Sequence, residues 1–351
     1  MRPRLLRADN LTPPTRTPWG GQQILSRYKD GLNVPDQAVV GESWEVSVEP
    51  SFPSRFADDD TLLSAAIAAD PIGWLGDEVS SRYGGQTPLL IKLLDAADNL
   101  SVQVHPADGD PALGIDESGK PEAWIILDAK PGAGLYLGFR DGITREDVAQ
   151  CLQSGGALDD LMNFVPVSTG DAFVIAAGTV HAIGGGVTLV EPQFVSPGRR
   201  GITYRFWDWN RRYDAQGRRD PTGNPRELHL ERSLEVTAWG VPGGPSFVER
   251  CRSKSTLLPS EAGELTRERV IDCPWFVTER WTGTGKMPAP VPGTLIGLTA
   301  VSGQATIRAE GHELSLRRGQ SAVIPAAAKG VDIFGDGLDL LATYSPVTRP
   351  E

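Results

Sequence analysis

The chain has 351 residues, a formal net charge of −11, 40% hydrophobic and 23% charged residues, the make-up of a soluble globular protein long enough for two domains. The acidic balance excludes a nucleic-acid binder, whose phosphates demand a basic footprint, but not a small phosphorylated substrate, for which one local cluster of Lys and Arg suffices. No stretch reaches the roughly 18–20 apolar residues of a membrane span, and the Arg-bearing segment 1–20 lacks the apolar core of a secretory signal. Cys151, Cys251 and Cys273 are scattered and without CxxC spacing, which points to a reduced cytoplasmic interior and away from a cysteine-bound zinc.

Forty glycines and 28 prolines without a repeat period predict many tight turns between short strands. After a turn-rich start, residues 41–48 read as a strand, with Ser43, Glu45 and Ser47 on one face and Trp44, Val46 and Val48 on the other. Asp60-Thr61 caps a helix over 62–69 that Pro71 stops, and a second helix covers 75–83. Together they form a small helical insertion at about 58–86. Strands resume at 89–94, an apolar run enclosing Lys92, whose burial is costly without an anionic partner. Lys92 therefore either snorkels to a rim or serves a pocket.

In Asn99-Leu100-Ser101-Val102-Gln103-Val104-His105-Pro106, alternation sends Leu100, Val102 and Val104 to a core and Ser101, Gln103 and His105 to the other face. Gly119-Lys120-Pro121-Glu122-Ala123-Trp124 adds a carboxylate, and Gly178-Thr179-Val180-His181 adds a second imidazole. Such a mixed nitrogen and oxygen set suits zinc or another borderline divalent ion, here inside a β-barrel. Further strands are expected at 123–127, 171–175, 188–191 and 203–207, and helices at 144–153 and 226–238. Residues 242–245 read as a linker, and strands continue from about 247. In 203–207, alternation puts Arg205 on the face of Thr203 and Trp207. A faint repeat relates 170–177 to 319–326 and sets Gly330 opposite His181, so the later copy lacks that ligand.

On the stretches 41–47, 88–105, 119–124, 178–185, 203–211 and 226–230, the chain resembles the type I phosphomannose isomerases of the short bacterial kind. The resemblance implies a mainly β fold of two cupin-type jelly-roll barrels. A catalytic one spans 1–240, and a cupin-like domain without metal ligands spans 241–351. It also implies one Zn²⁺ per chain held by Gln103, His105, Glu122 and His181, and interconversion of mannose 6-phosphate and fructose 6-phosphate. Arg205 matches the family's catalytic arginine. Residues 192–203 depart from the family's shorter turn and bear on substrate preference.

Proton transfer through an enediol intermediate falls to Glu191 or Lys120, between which the sequence does not choose. Ser101 and Lys92 are the expected substrate contacts. Arg199 and Arg200 read as solvated loop charges, His229 as a residue of a surface helix, and His312 as part of a turn. The same two imidazoles and carboxylate also suit an Fe(II) oxygenase, but Gln103 as a fourth ligand closes the positions oxygen would need. A metal-dependent cupin acting on another sugar phosphate and a non-catalytic sugar-phosphate binder are the remaining alternatives. The expected partner is a small sugar phosphate alone, the expected compartment the cytoplasm, and the expected state a monomer.

Overall fold

Strand Leu89–Ala96 is buried along its whole length, which is why its sequence is an apolar run and not an alternation. In the computed structural model, which describes residues 1–32, 39–289 and 293–347, this strand lies inside a five-stranded antiparallel sheet. Its order is Glu42–Val46, Leu89–Ala96, Val187–Phe194, Glu122–Ala129 and Ala172–Ile175. A second five-stranded sheet runs Tyr204–Trp207, Val102–Val104, His181–Ile183, Gly134–Phe139 and Met162–Pro166. The two sheets share one apolar cluster that includes Leu94, Trp124 and Ile126 from the first and Leu135, Leu137 and Ile183 from the second. They therefore pack face to face, and the chain is mainly β.

The outer face of the first sheet is covered too. Ile91, Leu93 and Ile125 join Ile67, Leu75 and Val79 of helices α1 (Leu63–Ala69) and α2 (Pro71–Arg82), together with Ile271, Phe276 and Leu341 from the C-terminal third. That third forms an eight-stranded sheet in which the two-residue strand Arg4–Leu5 pairs with Ser321–Ile324. Behind the second sheet, Val102, Val104 and Phe206 pack with Val148 of helix α3 (Arg145–Gln153) and Leu234 of helix α4 (Leu230–Val236).

Several expected boundaries move. α1 is capped at Leu62 without a side-chain bond, not by Asp60-Thr61. Pro71 opens α2 with Asp70 accepting from Gly73 N, because proline's missing N–H costs nothing in a first turn. The helix expected at 226–238 is only Leu230–Val236. The presumed linker at 242–245 runs into helix α5, Gly244–Cys251. The helix expected at 144–153 is present as Arg145–Gln153, opened by a capping box of Thr144 with Asp147. Strands Gly134–Phe139 and Met162–Pro166 carry no prediction at all.

Two bulges break the expected alternation. A register shift between Trp44 and Val46 turns Trp44 toward Leu90 and Val195, while Val46 enters the core with Phe56 and Ile91. A second, between Arg205 and Trp207, sends Trp207 to the cluster of Val102 and Phe206 and off the face of Arg205. The extra residue of a bulge reverses the facing of whatever follows it.

The first bulge leaves Glu45 pointing at the C-terminal sheet. Lys29 Nζ donates to Glu45 Oε2 (2.8 Å) and to the Gly319 carbonyl (2.5 Å), and Ser321 Oγ donates to the same carboxylate (2.6 Å). Both charged side chains are almost wholly buried. Gly319 has φ 75°, and a Cβ there would sit 1.6 Å from the Tyr28 carbonyl oxygen, so only glycine fits.

Candidate metal centre and cavity

Directly opposed residues in a sheet share a face, and one row of the second sheet reads His181, Gln103, Arg205 across three strands. On the first sheet, Glu122 stands opposite Gln193, and Lys92 opposite Glu191. The packing of the two sheets brings these rows together. His105 Nε2 lies 3.4 Å from Glu122 Oε2, and His181 Nε2 lies 3.2 Å from Glu122 Oε1. His105 Nδ1 donates to the Ile202 carbonyl (3.0 Å) and His181 Nδ1 to the Thr179 carbonyl (2.8 Å). Each Nδ1 thus carries the proton, and each Nε2 presents a lone pair to the carboxylate.

His105 Nε2, His181 Nε2 and Glu122 Oε1 are buried without a hydrogen-bond partner. Buried polar atoms are rarely left so, and three of them around one point fit a divalent cation. This is the group with metal-ligand character found among the described residues. Burial, helped by the Lys120 charge, pushes His105 down to about 3, so its imidazole is neutral as a ligand must be.

Beside this trio lies a cavity of about 600 Å³ whose wall includes Ser101, Gln103, Lys92, Lys120, Glu191 and Arg205. Lys92 is buried in that wall and does not snorkel. Its Nζ lies 3.7 Å from Glu191 and 3.9 Å from Glu42, and 4.5 Å from the Trp44 ring centre. Lys120 Nζ is 3.8 Å from Glu122 Oε2, and burial lowers its pKa. Glu191 Oε1 accepts from Trp124 Nε1 at 3.0 Å. Burial first, then the Glu122 charge, pushes Glu191 up to about 8.

Because folding raises the Glu191 pKa above its ordinary 4.5, its contribution to stability is complete below that value and is lost as pH rises through about 8. In metal-free protein, the urea midpoint relative to Glu191→Gln is therefore expected to fall between pH 5 and 9. Parallel pH profiles for the two proteins would contradict this.

Arg205 Nε donates to Ser101 Oγ (3.2 Å) and Nη1 to the Glu227 carbonyl (2.8 Å). Burial and neighbouring Arg226 lower its pKa to about 10, so it stays a cation near neutrality. His229 corrects its expectation as a surface-helix residue. It is the half-buried residue preceding α4 and lines the cavity, its Nδ1 accepting from the Arg205 amide at 3.1 Å. Arg200 also lines the cavity and pairs with Glu117 (3.0 Å), and Ile202 in the same loop orients His105. The departing loop is thus one wall of the site. His312 is exposed beside Arg2, but it opens strand His312–Arg317 and does not lie in the turn the sequence predicts.

Sequence reasoning missed Glu42, Arg16, Arg226 and Gln193, all of which line the cavity. Gln193 carried a signal: it shares a strand face with Glu191, two residues away.

A family model for the type I phosphomannose isomerase catalytic domain matches residues 15–129. A mannose-6-phosphate isomerase of Streptococcus mutans is 30% identical over 335 residues, covering 93% of this chain and 94% of that one. The crystal structure of the mannose 6-phosphate isomerase from Bacillus subtilis superposes with a TM-score of 0.80 at 24% identity, covering 98% of this chain and all of that one. A mannose 6-phosphate isomerase crystallised with zinc and yttrium superposes at 0.72 with 18% identity, over 99% and 100% of the two chains.

Proposed function

The chain belongs to the type I phosphomannose isomerases and is an enzyme of that class, and from that premise we propose how its own residues act. The reading is a zinc-dependent aldose–ketose isomerase that interconverts mannose 6-phosphate and fructose 6-phosphate through an enediol. The observation that carries it is the trio of unpartnered buried atoms on His105, Glu122 and His181 beside a cavity lined by lysines and arginines. Gln103, in register next to His181, is the fourth ligand of this reading. The mixed imidazole and oxygen set suits zinc, and the solved neighbour that holds zinc supports the choice. When bound, such an ion stabilises negative charge developing on substrate oxygens.

Glu191 and Lys120 form the proton-transfer pair, two buried groups whose acidities their surroundings have displaced. One proton leaves C2 of the aldose as O1 gains another, giving the enediol. Loss of the O2 proton and protonation of C1 complete the ketose. Arg205 meets the charge that builds on the oxygens, and Ser101 and Lys92 hold the sugar phosphate. The arginines and lysines of the cavity wall supply the local positive field that an acidic chain needs for a phosphate. Among the described residues no helix is long and apolar enough to cross a membrane. The free cysteines suit a reducing cytoplasm, where we place the protein as a monomer.

Chelated protein is expected to lose conversion of mannose 6-phosphate and to regain it at one equivalent of Zn²⁺ per chain. His181→Ala should lower metal occupancy and activity together. Two stoichiometric ions, or full activity after thorough chelation, would overturn the reading.

A further inference from the structure

Glu122 has two oxygens, and the surrounding groups treat them differently. Oε1 has no hydrogen-bond partner and faces His181. Oε2 lies 3.4 Å from His105 Nε2 and accepts a 2.7 Å hydrogen bond from Gln193 Nε2. Gln193 is 1% exposed and stands opposite Glu122 in the sheet ladder, so its amide is held by the strand register. The amide must point its nitrogen at the carboxylate, since its oxygen there would set acceptor against acceptor.

We infer that Gln193 is a positioning residue for the metal centre: its hydrogen bond to Glu122 Oε2 fixes the rotation of the carboxylate and so holds the unpartnered Oε1 toward His181. The inference rests on the reading of His105, Glu122 and His181 as metal ligands. Carboxylate ligands are commonly oriented by such outer hydrogen bonds. Lys120 is the other donor near Oε2, but at 3.8 Å it is beyond hydrogen-bond reach. Gln193 therefore supplies the short bond that fixes the carboxylate's rotation. Without it, Glu122 is free to turn away from the two imidazoles.

Gln193→Met keeps the length of the side chain and removes the donor, and Gln193→Ala removes both. Zinc affinity of the metal-free proteins is read by competition with a chromophoric chelator, with urea unfolding of the same samples as the fold control. Both variants are expected to bind zinc about 10–100-fold more weakly and to stay folded without metal, at a somewhat lower urea midpoint because the buried Glu122 carboxylate loses a donor. The visible spectrum of the Co²⁺-loaded Met variant should differ from wild type, since the ion's surroundings change when the Glu122 carboxylate is no longer fixed. Wild-type affinity and spectrum in either variant would overturn the inference and leave the metal reading standing. Zinc binding lost because the metal-free variants no longer fold would also overturn it, by making Gln193 a packing residue. If wild-type protein takes up no zinc, the metal reading falls, and the inference with it.

Discussion

Arg205→Ala is expected to keep its fold and its metal while kcat falls about 10²–10³-fold, the usual cost of losing one preorganised donor at a site of developing charge. A guanidinium has no lone pair for a metal and stays protonated, so its role can only be electrostatic. Its placement agrees. It shares a sheet row with Gln103 and His181, and contacts with Ser101 Oγ and the Glu227 carbonyl aim the fork. Arg205→Lys should recover only part of the loss, because an ammonium cannot reproduce the planar fork. Metal content and kcat measured on the same preparations decide the matter. Near-normal kcat, or loss of metal, would make Arg205 a structural residue.

The second large effect is on stability. Lys29→Met leaves the Glu45 carboxylate buried with Ser321 as its remaining donor and is expected to cost about 3–5 kcal/mol, as removal of one partner of a buried ion pair does. Replacing both residues, Lys29→Met with Glu45→Leu, should recover most of it, since two apolar side chains carry no desolvation debt. Urea unfolding of the single and double variants measures the difference. A single-variant cost below about 1 kcal/mol, the range of an exposed pair, would show that water reaches the pair.

The face of the Gln103 and His105 strand was legible because alternation is strict where no residue is inserted. Glu122 and His181 were legible as residue types but needed the pairing of strands to bring them within reach. What failed to show was the bulge. Nothing in Trp44-Glu45-Val46 or Arg205-Phe206-Trp207 marks an extra residue, so strict alternation sets Val46 beside Trp44 and Trp207 beside Arg205, and gives Glu45 no partner. Its partners, Lys29 and Ser321, lie 16 and 276 residues away, and no local pattern links them. Strand Gly134–Phe139 was hidden by its terminal glycine and by Gly138 at φ 60°, features of turns more than of strands. The helix expected from 226 is short because His229 turns to bond the Arg205 backbone and helical backbone begins only at Leu230.

The separation of Glu45 from Ser321 has a meaning in time. A ribosome adding about 5–20 residues per second needs on the order of 15–55 s to cover the 276 residues between them. Once Phe194 completes the first sheet, that sheet still has no eight-stranded partner. Val46, Ile91 and Leu93, which finally pack against the C-terminal third, stand open, and Lys29 and Glu45 remain in water. The nascent chain is thus expected to be most prone to self-association between the emergence of Phe194 and that of the last strand.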